Sequence, residues 1–434
     1  MKEKDAEANV AYRKQSKFSG GLFAETKGYF KYIDIFSLIL VLILVAVGLI
    51  MVFSSSMYIV NGESGMSSDP MGELIKQGLA VFLGSGLALI AFILPKAVYR
   101  EINLVLLANG FLFVLLILTL LIGITSGGST SWLPIFSFSL QPSEFFKIVF
   151  VISFAWILTY QHREVNLSKD QDTNRKLTVL VCMLIAAIAI IAAQPDWGMV
   201  IIILAVAIVM FLIDRATWRQ MALILSAVFI AMALVRSVAH LIPESLHGMH
   251  YILDRIAAFG NPFYSPDEYG YQIINGFVAF SRGGWLGVGL GQGMMKRDNN
   301  LPAINTDYII ANIAEELGFV GVFLVLGILF LLICRIYYLS SQVRYRQDRL
   351  VLVGLASMLL VQSFVNVGGA LGLIPLTGVT LPFISMGGSS MVTSLLMMGL
   401  IQAIWAQDQY AKAVKPDLKL VYPSKNGGMT HGNG

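Results

Sequence analysis

Apolar residues in this chain come in blocks rather than in alternating or one-faced patterns. Ten blocks stand out, at about 33–53, 74–94, 102–124, 144–160, 177–193, 198–213, 219–239, 309–334, 350–372 and 389–406. Runs near 20 residues suffice to cross roughly 30 Å of hydrocarbon as helix. Strands of a membrane barrel alternate over about ten residues, and no such alternation recurs here. The pattern predicts an all-α polytopic membrane protein with ten transmembrane helices. The fifth and sixth blocks are separated only by Gln194-Pro195-Asp196-Trp197, which reads either as a tight turn or as a kink in one broken element.

Composition agrees with the blocks. Of 434 residues, 56% are hydrophobic and 13% charged, about half the charge of a soluble domain. Cys182 and Cys334 both fall inside apolar blocks and are expected as small core residues. A polar, basic tail precedes the first block, which is too long for a signal-peptide core, so no cleavable signal is expected.

The position of the charges gives direction. Lys and Arg gather in the N-terminal tail (1–32), near 96–100, 163–176, 215–219 and 344–349, and in the C-terminal tail (409–434). The segments 54–73, 125–143, 194–197 and 373–388 contain no Lys or Arg. The positive-inside rule then places both termini in the cytoplasm and the membrane domain at 33–408 in a plasma membrane. It also puts a long segment, 240–308, outside between spans seven and eight. A loop of that length is usually functional, and its partly apolar stretches 251–263 and 272–285 suggest interfacial helices.

Ionisable groups near membrane depth mark candidate sites. Asp307 closes the long loop, in Leu301-Pro302-Ala303-Ile304-Asn305-Thr306-Asp307-Tyr308, just before span eight. Glu144 and Lys147 open span four, three residues apart on one helical face. Asp196 begins span six and fits a helix cap. The glycine-rich run 283–293 lacks the strand and downstream acid of a dinucleotide site; it fits close backbone packing or a re-entrant bend. Arg282, Lys296 and Arg297 flank it and suit an anionic headgroup. His247 and His250, with Glu244 nearby, make a weak metal pattern. The uncharged stretch 375–390, with Ser389 and Ser390, reads as a re-entrant turn or a pocket wall for a polar headgroup.

Together these motifs resemble the SEDS family (FtsW/RodA/SpoVE), ten-span peptidoglycan polymerases. The landmarks run in order: Gln141-Pro142-Ser143-Glu144 with Lys147, Gln194-Pro195-Asp196, Gly270-Tyr271-Gln272, Leu301-Pro302 with Thr306-Asp307, Glu315-Glu316-Leu317-Gly318, Asn366, and Pro375 through Ser390. The chain departs from the family where Ser131 precedes Trp132, at Ala303 and Asn305, and at Met386. Gly378-Val379-Thr380-Leu381-Pro382 looks more like the division branch than the elongation branch, with the elongation and sporulation polymerases as alternatives.

The resemblance implies transfer of the disaccharide of one lipid II to the 4-hydroxyl of another on the outer face. It implies Asp307 as the catalytic base. Glu144, Lys147, Gln272, Arg282, Lys296, Ser389 and Ser390 are the implied substrate-binding residues. No metal ligands are implied within the chain; a divalent cation, Mg or Mn, is a candidate aid at the diphosphate. The implied partners are a class B penicillin-binding protein with one span, other division proteins and membrane lipids, with no nucleic acid. A lipid II flippase is the rival reading, and a scaffold for division proteins a third. A flippase needs a polar path through both leaflets, whereas the unusual residues here gather near the outer face.

Overall fold

The computed structural model describes residues 28–58, 69–126, 129–135, 138–163, 171–239, 251–264, 269–297, 300–301 and 303–414. His247, His250, Glu244, Pro302 and most of both tails lie outside the described residues. The long helices are α1 (Ile35–Ser55), α2 (Pro70–Ile93), α3 (Ile102–Ile122), α4 (Pro142–Arg163), α5 (Gln171–Ala193), α6 (Trp197–Arg215) and α7 (Trp218–Ala239). Two shorter ones, α8 (Tyr251–Gly260) and α9 (Tyr269–Gly283), follow in the long loop, then α10 (Ile309–Gln342), α11 (Arg346–Ala370) and α12 (Gly388–Val414). Among the described residues, nine of these are long and apolar enough to cross a membrane. The molecule is an all-α polytopic membrane protein. The 22-residue α7 occupies the stretch expected for span seven.

Local sequence sets where helices begin. Asp34 caps α1, its carboxylate accepting from Ser37 N at 3.1 Å. Asp69 caps α2 by accepting from Gly72 N at 2.8 Å, with Pro70 in the first helical position, where a missing N–H costs nothing. The linker at 194–196 proves to be a turn between two separate helices, α5 and α6. One short sheet was not expected: β1 (Ile124–Ser126), β2 (Ser129–Ile135) and β3 (Phe138–Leu140) form an antiparallel meander between α3 and α4. Its register pairs Ile124 with Trp132 and Leu133 with Leu140. β1 and β3, at three residues each, are too short to leave a legible period-2 signal.

Burial divides the helices. In α4, α11 and α12 the apolar window is 67%, 78% and 78% buried, against 17% in α2. The first three form the centre of the bundle, and they carry most of its buried polar side chains. α2 presents Phe82, Ile75 and Leu89 outward and touches α12 through small residues. A Cβ on Gly399 would overlap the Ala88 backbone, and one on Gly84 would meet Leu395 and Val392. Without a hydrophobic drive between helices in lipid, such close approach supplies the association energy. Cys182 and Cys334 are both exposed, correcting the expectation that they are core residues: an apolar face toward lipid looks like a core face in sequence.

One end of the bundle gathers the cations that the sequence places on a single side. There Asp348 meets Lys96 at 3.0 Å and Arg100 at 2.6 Å, Asp214 meets Arg346 at 2.6 Å, and Asp34 meets Arg335 at 2.5 Å. The other end holds the starts of α2, α4, α6, α10 and α12, and there the remaining charges converge.

Candidate functional site

Glu144 lies in the first turn of α4, and one turn on Lys147 is wholly buried. The two pair at 2.6 Å. Lys147 also donates to Gln362 Oε1 of α11 at 2.8 Å, and Glu144 accepts from Thr393 Oγ1 of α12 at 2.8 Å. Gln362 in turn donates to the Thr380 carbonyl at 3.0 Å, and Thr380 Oγ1 donates to Ser390 Oγ at 2.7 Å. A buried ammonium is tolerated only with such pairing. Ser389 stands beside this network, accepting from Gln141 N at 3.0 Å.

Asp307 sits one helical turn along α11 from that network. Asn366, four residues after Gln362, donates to both the Asp307 carbonyl (3.0 Å) and the Val379 carbonyl (2.7 Å). The loop before α10 is pinned from the α11–α12 connection: Ser385 Oγ donates to the Thr306 carbonyl at 2.6 Å, and Met386 N donates to Asn305 O at 2.9 Å. Gln77 of α2 holds that connection from behind, donating to Ser385 O at 3.1 Å and accepting from Gly387 N at 3.2 Å. The backbone around Asp307 is therefore fixed by α11 and the α11–α12 connection, itself held by α2, while Asp307 stays partly exposed. Desolvation raises its pKa from the ordinary carboxylate value to about 6, opposed by the charge of Arg255 and a hydrogen bond from Thr306. A base with a pKa near neutrality is well matched to proton abstraction.

The other expected residues fall elsewhere. Asp196 caps α6, accepting from Met199 N at 3.2 Å, and also receives Gln141 (2.9 Å) and Ser143 (3.1 Å); burial raises its pKa. It is both a cap and a neighbour of Glu144. Lys296 is wholly buried against Glu316 at 2.6 Å and the Ser54 carbonyl at 3.0 Å. Arg282 pairs with Glu315 at 3.0 Å. These two cations neutralise the adjacent carboxylates of α10 rather than joining the Asp307 network. Gln272 is partly buried in the first turn of α9. Gln77, Arg255, Gln362 and Thr393 were not singled out in the sequence, because a lone amide, guanidinium or hydroxyl has no periodic signature.

The glycine-rich run packs against a break in α10. Gly318 takes φ of 69°, and the freed groups on either side are satisfied by the run. Val288 N donates to Glu315 O at 2.9 Å, Gly289 N to Glu316 O at 3.0 Å, and Phe319 N to Gly284 O at 2.9 Å. Close backbone packing is thus what the glycines provide.

Beside Ser389 opens a groove of about 910 Å³, lined by Phe82, Leu87 and Ile90 of α2, Phe145 of α4, and Val392 of α12. It is almost wholly apolar and has hydroxyls, Ser139 and Ser389, along its wall. Among the described residues no three His, Cys, Asp or Glu side chains converge as a metal cage.

Fold and site define a polytopic membrane protein with a poised carboxylate and a buried ion pair at one mouth, beside an apolar groove. The chain belongs to the FtsW/RodA/SpoVE family, whose model, described as a cell cycle protein, matches residues 35–410. Among its relatives is the probable peptidoglycan glycosyltransferase FtsW of Dichelobacter nodosus (strain VCS1703A), 35% identical, covering 87% of this chain and 91% of the relative. The protein of the same description from Bacillus subtilis (strain 168) is 33% identical, covering 88% and 92%. A solved chain of a peptidoglycan synthase complex that coordinates polymerization and crosslinking superposes with a TM-score of 0.65 at 25% identity, covering 87% of this chain and 98% of that one. The rod shape determining protein RodA of Thermus thermophilus shares the fold, with a TM-score of 0.58 at 24% identity, covering 87% and 97%.

Proposed function

We infer that this chain is a peptidoglycan glycosyltransferase that polymerises lipid II on the outer membrane face during septal wall synthesis. The observation that carries the mechanism is the setting of Asp307: an available carboxylate, pKa raised to about 6, held by Asn366 beside the Glu144–Lys147 network. The acceptor 4-hydroxyl oxygen bonds to C1 of the donor sugar. Its proton passes to Asp307. The bond from C1 to the diphosphate oxygen breaks, and the electron pair leaves with undecaprenyl diphosphate. General-base assistance of this kind is worth about 10²–10⁴ in rate. Glu144 and Lys147, with Ser389 and Ser390, form the adjoining wall for sugar hydroxyls, and the groove along α2 suits an isoprenoid tail.

The flippase reading is weaker because the polar residues gather at one mouth. At the opposite end the carboxylates Asp348, Asp214 and Asp34 are neutralised by neighbouring cations, and no continuous polar path is built from the residues named here. The long loop then lies outside, both tails inside, and α7 is span seven, which brings the count to ten. The names of the relatives and the synthase complex support a working partnership with a single-span transpeptidase that crosslinks the emerging strands. Purified protein incubated with lipid II tests the reading directly. Polymer is expected from the wild-type chain and not from Asp307→Asn; equal polymer from both removes Asp307 from the chemistry.

A further inference from the structure

A glycosyl transfer that expels a diphosphate needs positive charge near the base, and the cations first expected to supply it are already committed. Lys147 is wholly buried on Glu144 and Gln362, Lys296 on Glu316, and Arg282 is paired with Glu315. Arg255 lies close enough to Asp307 for its charge to act on that carboxylate. It comes from α8, in the long loop, and its Nη1 donates to the Leu376 carbonyl at 2.7 Å. That bond brings the guanidinium over Gly378. A Cβ at Gly378 would lie 3.7 Å from Asp307 Oδ2 and 3.8 Å from Arg255 Nη1. Carboxylate and guanidinium thus both approach the side-chain face of Gly378. Gly378 has φ of 74°, a conformation that excludes most side chains and leaves that face bare. The surrounding backbone is pinned: Asn366 holds both the Asp307 and Val379 carbonyls, while Arg255 holds Leu376.

We propose that Arg255 is the diphosphate-binding residue of the site, gripping the lipid-linked diphosphate of the donor beside Asp307 at Gly378. The assignment rests on the glycosyltransferase reading for its ligand, and on the nearness of guanidinium and base at Gly378 for its residue. A planar guanidinium offers paired donors that match phosphate oxygens. With one Nη occupied by the Leu376 carbonyl, the side chain is oriented before the donor arrives, which lowers the cost of ordering it. The same residue, seated beside Asp307, keeps the base from rising to a still higher pKa in its desolvated setting.

The test uses the full chain in detergent and three probes: farnesyl diphosphate, farnesyl monophosphate and farnesol. Wild-type protein is expected to bind the diphosphate more tightly than the alcohol. Arg255→Gln should weaken diphosphate binding about 10- to 100-fold, the loss of a charged hydrogen-bonded contact, and leave farnesol binding unchanged. Arg255→Lys, which restores charge but not the fork, should fall between. A merely structural tether predicts another result: both probes weaken together in Arg255→Gln. That outcome, or unchanged diphosphate affinity, overturns the assignment. Should the variants not fold, phenylglyoxal modification of wild-type protein with peptide mapping gives the answer. Farnesyl diphosphate should protect Arg255 and not Arg335; equal modification of Arg255 with and without the probe rejects the site. Lipid II polymerisation is measured in parallel. Diphosphate selectivity through Arg255 in a protein that makes no polymer would sink the glycosyltransferase reading alone; polymer without that selectivity would sink this one alone.

Discussion

Asp307 sets stability against activity. Its folded pKa of about 6 lies above the ordinary value of 3.8 because burial disfavours the charged form. Between those values the folded state holds a proton that the unfolded state has lost, so this residue makes stability fall as pH rises from about 4 to 6. Above that window the charged carboxylate is a constant cost. Asp307→Asn is therefore expected to melt no lower than wild type at about pH 7.5, with any advantage shrinking toward pH 4. Its polymerisation rate should drop about 10²–10⁴-fold. In the wild type the rate should fall as pH drops through about 6, as the base becomes protonated. A flat rate across that range, measured where the fold is intact, contradicts the assignment. Lys147 and Glu144 make a different kind of prediction. Removing one partner strands a buried charge at a cost of about 3–5 kcal/mol, while removing both does not. The double Ala variant should be at least as heat-stable as either single variant, and inactive; full polymerase activity in Lys147→Ala would take it out of the site.

At the scale of elements, the break in α10 organises the outer mouth. The glycine-rich run substitutes for the missing helical partners of Glu315, Glu316 and Phe319. Lys296 joins Ser54 of α1 to Glu316 of α10 inside that junction. Gly318 is the pivot: its φ of 69° with ψ of −173° is a conformation all but reserved to glycine, costing an L-residue about 1–3 kcal/mol, and a Cβ there would overlap the Gly287 and Trp285 backbones. Gly318→Ala should therefore abolish recovery of monodisperse protein. Gly327, on the same helix, has no neighbour within 4 Å of a built Cβ, and Ala there should be neutral or stabilising by up to about 1 kcal/mol. Equal thermal stability of the two variants would show that the break is not held by its glycine.

For the whole molecule, sidedness is the testable property. In a chain whose Cys182 and Cys334 have been replaced, single cysteines at Phe263 in the long loop and at Lys176 near the start of α5 report opposite faces. Phe263 is 73% exposed. An impermeant maleimide added to intact cells should label the first and reach the second only after lysis. Labelling of both from outside contradicts the orientation drawn from Lys and Arg. Partnership is read at the same scale: polymer output from the purified chain should rise when a cognate single-span transpeptidase is added, and an unchanged rate with every such transpeptidase of the same cell argues against it.

The apolar blocks by themselves determined that the chain crosses a membrane repeatedly as helices, because only an internally bonded backbone survives in hydrocarbon. The motifs singled out Asp307, Glu144 and Lys147, since charge near membrane depth is too costly to be incidental. Which cations serve the site was decided only by the tertiary structure. Lys296 and Arg282 are as basic as Arg255 in the sequence, but packing gives the first two to Glu316 and Glu315 and carries the third to Asp307. The same holds for Gln362, Asn366 and Gln77, whose partners are distant in sequence. It holds too for the two cysteines, since lipid and protein interior are equally apolar and only packing tells them apart. A hydrophobic block records the solvent a helix meets; a hydrogen bond between helices depends on rotation and depth, which no single segment encodes.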